Sequence, residues 1–591
     1  MNHTAVTDIQ STEVEAKDAL VVFTPSGKRG SFAKGTTILE AARALGVDLD
    51  SVCGGRAMCG RCQIKQSVGS FAKHGIESRE THLSSPGVTE VSFFKELGKN
   101  HDRRLACSTI IQDDVVIDIP PDSQIHKQVV RKRVEVHDIE VDPYVRIYFV
   151  EVPKPSMHDP AGDLRRLKEA LEFEWDLTDL EFPPALLTNL QPILREGDWQ
   201  VTVAVADEHR VLSVWAGYHD QVCGMAIDVG STTIAAHLID LSTGKALASA
   251  GLMNPQIRFG EDLMSRVSYV MMNPGGEVEL TKAVRESITQ LITETCEEAD
   301  VHPGSVLKMV FVGNPIMHHL LLGINPVELG GAPFALATDE SVSTTAQQME
   351  LGINDHALVY VLPCIAGHVG ADTAAVVLSE APYLREEITL IVDVGTNAEI
   401  VLGNKHKLLA ASSPTGPAFE GAQISCGQRA APGAVERVRI DPITLEPRFR
   451  VIGSELWSDE PGFDESVADI GVTDVCGSGI IELIAEAYLA GVITPDGIID
   501  GSKAAQSNRI VQNGKTWSYL LYEGDITLSL VQNDVRAIQL AKAALFAGAK
   551  LLMDKLHVEQ VDRIRLAGAF GAHIDVKYAM VLGMIPDCLQ R

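Results

Sequence analysis

The sequence predicts a multidomain α/β protein, and three observations lead there. From Cys223 onward, apolar strand-like runs alternate with amphipathic helical ones, the signature of α/β architecture. Within that region GMAIDVGSTTIAAHLIDLSTGKAL is echoed by TLIVDVGTNAEIVLGNKHKLL, with D-V-G at the same offset in both. Such an echo is expected of two related subdomains facing each other across a cleft. Four of the ten cysteines fall between residues 53 and 107, which marks off a separate N-terminal unit. At 591 residues the chain is also too long for one core.

The bulk composition excludes several function classes. Hydrophobic residues make up 45% and charged residues 22%, with a net charge of −29. So acidic a chain lacks the basic footprint of a nucleic-acid binder or of a protein that sits on anionic lipid. The start, MNHTAVTDIQSTEVEAKD, is polar and acidic where a secretory signal needs a basic and then an apolar run. No stretch reaches the roughly 18 apolar residues needed to span a bilayer. Neither membrane nor nucleic acid is expected as a partner. The uneven cysteines do not form a secreted disulfide framework, so a cytoplasmic location with metal chemistry is expected.

In chain order, residues 1–18 read as a tail. Residues 19–120 follow as one unit: strand LVVF, turn PSGKRG, strand SFAKG, then a helix in TTILEAARALGV with a Thr N-cap and Gly46 near its end. After the CGGRAMCGRC loop, QIKQSVGSF reads as a strand and residues 89–99 as a helix. RRLACSTII and DVVIDIP close the unit as two strands, with the cysteine at the start of the first. Residues 121–135 form a linker. Residues 136–221 form a small α+β domain with a strand in EVDPYVRIYFVEV, a helix in DLRRLKEALEFEW and two further strands, and without site chemistry. Residues 222–591 form the duplicated α/β domain.

Cys53, Cys59 and Cys62 follow a C-x5-C-x2-C spacing, and Cys107 stands far downstream in RRLACST. Three thiolates from one loop and a fourth from a distant strand suit a [2Fe–2S] cluster. Gly54, Gly55 and Gly60 let the loop pass close to it, with backbone N–H groups free to donate to the sulfurs. The alternatives are a zinc site or four unrelated thiols, but zinc sites usually pair two short knuckles, and here the fourth cysteine is alone. The unit resembles the [2Fe–2S] ferredoxins of β-grasp fold. Five residues in the first gap, rather than the plant-type four, look like the adrenodoxin-type variant.

Asp228-Val-Gly230-Ser231-Thr232-Thr233 and Asp393-Val-Gly395-Thr396-Asn397 each follow an apolar strand. A single D-x-G turn is more often a plain hairpin. Two of them with similar flanks can cradle phosphates through backbone N–H groups and hydroxyls, while the carboxylates hold Mg²⁺. No P-loop or strand-borne GxGxxG occurs. IRLAGAFGAH leads a strand into Gly568 and Gly571, resembling the adenosine turn of the acetate kinase, sugar kinase, heat-shock chaperone and actin superfamily, whose core is of ribonuclease-H type. VFVGNPIMHHLLLG, with Gly313 and Asn314, and DVCGSGIIELIAEAYLAG, with Gly477, Ser478 and Gly479 opening a helix, resemble its two connecting segments.

The combination resembles the reductive activators of corrinoid proteins, ferredoxin-fused ATPases that return an oxidised Co(II) corrinoid to Co(I). The resemblance runs from about residue 19 to the end, and SSPTGPAFEGAQISCGQRAAPGA is its most family-specific string. It implies a [2Fe–2S] cluster on Cys53, Cys59, Cys62 and Cys107, with ATP and Mg²⁺ organised by Asp228 and Asp393. Ser231, Thr232, Thr233, Thr396 and Asn397 would then hold phosphates, beside Gly230 and Gly395. Gly477, Ser478, Gly479, Gly568 and Gly571 would line the nucleoside. Glu399 is assigned as general base, against an equal reading as a solvated strand carboxylate. The implied partners are a corrinoid (cobalamin-type) methyl-transfer protein, an electron donor the sequence does not name, and a second copy through the ATPase domain. Coupling to ATP suits an uphill electron transfer, which costs a factor of ten for every ~59 mV in a one-electron step.

His318 and His319 read as packed helix residues, and Cys223, Cys296, Cys364, Cys426, Cys476 and Cys588 as small core residues. The sequence ends at LGMIPDCLQR, sooner after the adenosine turn than is usual in the superfamily. That departure predicts weaker nucleotide binding or dimerisation. Three other functions compete: a small-molecule kinase with a regulatory iron–sulfur domain, an activator of 2-hydroxyacyl-CoA dehydratases, and a plain electron carrier with a vestigial ATP site. The first lacks a substrate motif here. The second uses two cysteines per subunit rather than four.

Overall fold

The computed structural model describes residues 18–24, 28–47, 49, 62–71, 75–96, 103–120, 123, 140–260, 263–395, 397–421, 424–428, 430–524, 526–571 and 573–588. The chain forms two compact units, residues 1–126 with 255–276 and residues 127–254 with 277–591.

In the first unit, β1 (Ala19–Thr24) pairs antiparallel with β2 (Arg29–Phe32). Helix α1 (Ile38–Ala44) starts on Thr37, whose hydroxyl accepts from the Glu40 N–H while the Glu40 carboxylate accepts from the Thr37 N–H. That capping box is worth about 1 kcal/mol. With β3 (Gln63–Ser67), β4 (Arg103–Leu105) and β5 (Val115–Asp118), the strands form a mixed sheet in the order β2-β1-β5-β3-β4. The neighbouring strands β1 and β5 run parallel. Ile38, Leu39, Ala41 and Ala42 of α1 pack with Val21, Phe23, Ile64, Leu105 and Ile117 as one core. Helix α2 (Val88–Glu96) and the helix Leu263–Met272 belong to the same unit.

Two expectations are corrected here. Cys107 lies in the turn after β4, not at the start of a strand. The QIKQSVGSF strand breaks at Val68 into β3 and a short ladder, Gly69–Phe71 with Ile76–Ser78.

In the second unit, β6 (Val145–Glu151), β7 (Gln200–Ala206) and β8 (Arg210–Ala216) form an antiparallel sheet in the order β8-β7-β6. Helix α3 (Asp163–Trp175) covers it through Leu167 and Leu171. A second helix, α4 (Pro184–Glu196), adds Leu190 and Leu194. Its flanking and internal prolines hide it from a reading of the sequence. Yet Pro184 occupies the first helical position, where no N–H is needed.

The duplication is plain in the strand orders. Strands β9 (Cys223–Val229), β10 (Thr233–Asp240), β11 (Ala246–Met253), β12 (Val306–Gly313), β13 (Val342–Thr345) and β14 (Leu358–Val361) form one sheet, ordered β11-β10-β9-β12-β14-β13. Strands β15 (Thr389–Val394), β16 (Ala398–Asn404), β17 (Lys407–Ser413) and β18 (Arg563–Ala567) form another, ordered β17-β16-β15-β18. In each, an antiparallel meander is followed by a parallel neighbour, β12 beside β9 and β18 beside β15. Helices α5 (Gly276–Glu298), α6 (Pro315–Leu322) and α7 (Ala371–Glu380) attend the first sheet. Helices α8 (Gly477–Leu489) and α9 (Gln532–Leu556) pack in the core of the second.

Candidate functional site

The N-terminal unit brings two of the four cysteines together. Cys62 is buried at the head of β3 and Cys107 is half-buried, with their sulfurs 3.3 Å apart. For a tetrahedral metal with thiolate bonds of about 2.3 Å, neighbouring sulfurs lie about 3.8 Å apart, so the pair suits two ligands of one metal. The backbone holds them there. Ala106 N–H donates to the Cys62 carbonyl at 2.8 Å, while Leu39 and Ile38 of α1 donate to the carbonyls of Ala106 and Thr109. Buried Glu90 clamps the strand before Cys107, accepting from Arg104 at 2.8 and 3.1 Å and from Leu105 N–H at 2.7 Å. Cys53 and Cys59, with Gly54, Gly55 and Gly60, lie outside the described residues. Among the described residues no group of three or more His, Cys, Asp or Glu is placed to hold a metal.

The two D-x-G loops occupy equivalent places. Asp228 is the penultimate residue of β9 and Asp393 that of β15. Both stand at the carboxyl ends of parallel strands, where α/β sheets place their ligand sites. In the first hairpin, Gly230 N–H donates to the Thr233 carbonyl at 3.1 Å. Asn254 braces the loop twice: its amide Nδ2 donates to Gly230 O and its backbone N–H to Thr232 O, each at 2.8 Å. Ser231, Thr232 and Thr233 stay partly exposed. Next to them, a Cβ on Gly313 would meet the Val229 carbonyl at 2.8 Å. Asn314 caps α6 by accepting from Ile316 and Met317.

In the second hairpin, Gly395 N–H donates to the Asn397 carbonyl at 2.9 Å, and Thr396 lies outside the described residues. Asp393 pairs across the strands with Glu399. Gly568 follows β18 with φ +84°, and a Cβ there would stand 2.2 Å from Asp393 Oδ1. The site therefore needs glycine at 568 both for the turn and for room beside the carboxylate. Gly571 ends the same short helical turn. Glu399 is not a solvated carboxylate. It is partly covered, and burial, then Asp372 and Asp393, hold its carboxyl well above the usual range, against a 3.2 Å hydrogen bond donated by Ser412.

Asp372 is the residue that the sequence reading missed. It sits in the first turn of α7, where a Cβ on Gly370 would crowd Asp372 Oδ1, the Gly313 carbonyl and Asn314. Its charge acts on Glu399 from the other half of the duplication. The Gly-rich turn GHVGAD entering a helix was the available signal. At the far end of α7, Glu380 pairs with Arg565 at 3.0 Å and Arg563 at 3.6 Å, both on β18.

Gly477, Ser478 and Gly479 open α8 as expected but are buried. A Cβ on Gly479 would lie 2.3 Å from the Val435 carbonyl, so that glycine serves close packing. Ser425, within the SSPTGPAFEGAQISCG string, is anchored by its N–H and hydroxyl to Asp534 at the start of α9, at 2.8 and 2.6 Å. His318 and His319 are buried on α6, where His319 Nε2 accepts from Ala337 N–H at 3.0 Å. Cys223, Cys296, Cys364, Cys426 and Cys476 are buried core residues, and Cys588 is half-buried.

A duplicated sheet with paired D-x-G hairpins, closed by a glycine turn on a parallel strand, defines an actin-like α/β protein. The match of residues 387–591 to the C-terminal domain of RACo, the ASKHA domain, agrees. Residues 223–382 match the RACo middle region and 134–221 the RACo linker region. Among solved structures, a reductive activator for corrinoid, iron-sulfur protein is similar at 31% identity and TM-score 0.67, covering 96% of this chain and 89% of that one. The corrinoid activation enzyme RamQ of Eubacterium limosum is 28% identical over 563 residues, 93% of this chain and 86% of that protein. The [Co(II) methylated amine-specific corrinoid protein] reductase of Methanosarcina barkeri is 24% identical over 385 residues, 62% of this chain and 66% of that protein. The chain belongs to the family of reductive activators of corrinoid proteins and is an enzyme of the reductase kind. Among the described residues no helix is long and apolar enough to cross a membrane.

Proposed function

We propose that this enzyme reduces the inactive Co(II) form of a corrinoid methyl-transfer protein to Co(I), drawing one electron from a [2Fe–2S] cluster and coupling the step to ATP hydrolysis. The observation that carries the reading is the pair of equivalent hairpins, with Asp228 and Asp393 at matching strand ends and Glu399 beside Asp393.

In this reading residues 19–120 are a ferredoxin domain, 121–135 a linker, 136–221 a middle domain and 222–591 the ATPase. Cys53, Cys59, Cys62 and Cys107 hold the cluster, which supplies a one-electron carrier when bound. Asp228 and Asp393 would hold Mg²⁺, which would offset phosphate charge when bound, and Ser231, Thr232, Thr233, Thr396 and Asn397 would bind phosphate oxygens. Glu399, whose carboxyl burial, Asp372 and Asp393 hold well above the usual range, takes a proton from the attacking water when deprotonated. Gly568 and Gly571 face the nucleoside. The protein works in the cytoplasm as a dimer through its ATPase domain. The nucleotide drives alternate arrangements of the ATPase halves, changing the grip on the corrinoid partner.

The test is anaerobic visible spectroscopy of a Co(II) corrinoid protein mixed with this enzyme and a strong reductant, with and without ATP. The Co(I) band should grow only with ATP, and Asp228→Ala and Cys59→Ser should each abolish it. ATP hydrolysis without cobalt reduction, across several unrelated corrinoid proteins, would instead favour a kinase-type activity.

A further inference from the structure

In the sheet β8-β7-β6, β6 is an edge strand: it pairs with β7 on one side, and among the described residues no strand pairs with it on the other. Val152 N–H donates to the Trp199 carbonyl and Asp207 N–H to the Tyr144 carbonyl. Bonding direction alternates along an antiparallel strand, so Val145, Ile147, Phe149 and Glu151 turn their N–H and C=O groups away from β7. The Phe149 carbonyl accepts from the Trp175 indole at 2.8 Å, which closes one end of the open edge. Such edges are usually blunted by proline, a bulge or a free lysine. Here VRIYFVE has no proline and its ladder with β7 runs without a bulge. Its one cation, Arg146, is engaged by Asp142 and Glu208 at 2.6 and 2.9 Å.

Exposed aromatic rings flank this edge on both faces. Trp175 meets Tyr148 edge-on at 5.4 Å and Tyr218 meets Phe149 at 5.6 Å, and neighbouring strand residues point to opposite faces. Trp175 is 47% exposed, Tyr218 73% and Phe173, beside Trp175 in the chain, 90%. Glu172, Glu174, Asp176 and Asp179 are exposed at the same end of α3, and among the described residues none of them has a cationic partner. A helix C-terminus favours cations, yet the last turn of α3 holds no basic side chain.

We propose that the open edge of β6 is a docking site for an extended segment of another protein, in which lysines and arginines alternate with apolar residues, and that the segment joins the sheet as its fourth strand. Backbone bonds to Ile147 and its neighbours on that edge hold it. Its cations lie over Trp175 and Phe173 and against the carboxylates ending α3, while its apolar side chains meet Tyr218. Charge decides the occupant. A second copy would bring the same carboxylates and a net charge of −29 onto the edge, whereas a basic segment neutralises them. Docking there requires neither nucleotide nor cluster.

The test is fluorescence anisotropy of the fluorescein-labelled peptide KVRVKVRV, titrated with the full-length protein at several salt concentrations. Binding should saturate, and should weaken as salt rises. The same peptide N-methylated throughout keeps its charge but cannot donate to the sheet, and should bind about tenfold more weakly or worse. The peptide EVEVEVEV should not bind. Ile147→Pro removes an N–H on the open side and leaves the bonds to β7 in place, so it should also cost about tenfold. Phe173→Ser, at a side chain that packs on nothing, should weaken binding several-fold, and Glu172→Gln with Glu174→Gln should flatten the salt dependence. If circular dichroism shows that Ile147→Pro does not fold, these last two variants decide. The inference is overturned by the absence of saturable binding, by equal binding of the N-methylated peptide, or by wild-type behaviour of both Phe173→Ser and the glutamine pair. Self-association of the protein that Ile147→Pro abolishes would assign the edge to a second copy and overturn it as well.

Discussion

Asp393 and Glu399 are direct cross-strand partners in the second hairpin, so two carboxylates share one face of an antiparallel pair. Like charges directly opposite one another repel. Burial first, and then the charges of Asp372 and Asp393, make Glu399 hold its proton above the usual carboxylate range. Only the deprotonated form can accept a proton, so ATP hydrolysis should rise with pH through that elevated value and then level off. Glu399→Gln should lower hydrolysis by about 10²- to 10⁴-fold and flatten the profile, as a steady-state phosphate-release series would register.

The same carboxyl affects stability with a definite sign. In the window between the ordinary value of 4.5 and its raised folded value, the native chain keeps a proton that the unfolded chain has lost. Stability therefore falls as pH rises through that window. Glu399→Gln should be more stable than the wild type at neutral pH, measured by denaturant unfolding, although less active.

Gly568→Ala places a Cβ against Asp393 Oδ1 on a backbone with φ +84°. The carboxylate must move, and a displacement near 1 Å in a positioned group can cost about 100-fold in rate. Hydrolysis should drop by that order while cluster content, read from the visible spectrum, stays at the wild-type level.

Removing the buried Glu90 carboxylate leaves Arg104 and the Leu105 N–H without their acceptor. Breaking a buried pair in this way costs about 3 kcal/mol. Glu90→Ala should lower the unfolding temperature of the N-terminal unit and its cluster occupancy together, since the clamped strand delivers Cys107.

His318 provides an acid-sensitive element. Burial, aided by His319, lowers its pKa from 6.5 to about 4. Between those values the unfolded chain binds the proton and the native one does not, so stability falls as pH drops. The loss between pH 7 and pH 5 should be about 2 kcal/mol from this residue. Urea titrations of His318→Leu at the two pH values should show a smaller difference than the wild type's.

Where signals are local, the sequence shows them. The Thr37–Glu40 capping box, the two D-x-G hairpins and the α8 start at Gly477 all depend on a few neighbouring residues. The strand orders make the internal echo visible as architecture. Less legible were features set by distant chain. Helix α4 was obscured by Pro184 and Pro192, one placed where its missing N–H is harmless. Asp372 joins Glu399 only because α7 passes between the halves, and no spacing along the sequence announces that. Alternation along β16 identifies a strand but not what covers its Glu399 face. Gly479 reads like a ligand-binding glycine, yet its neighbour is the Val435 carbonyl.

Helix α7 is held at both ends by the same neighbourhood, Asp372 acting on Glu399 and Glu380 pairing with Arg563 and Arg565 on the strand that leads to Gly568. Drift at one anchor is therefore felt at the other. Among related chains, positions 380 and 565 should change in concert, with charge reversals arriving as pairs, and a lineage that has lost both should also have relaxed its hold on positions 372 and 568.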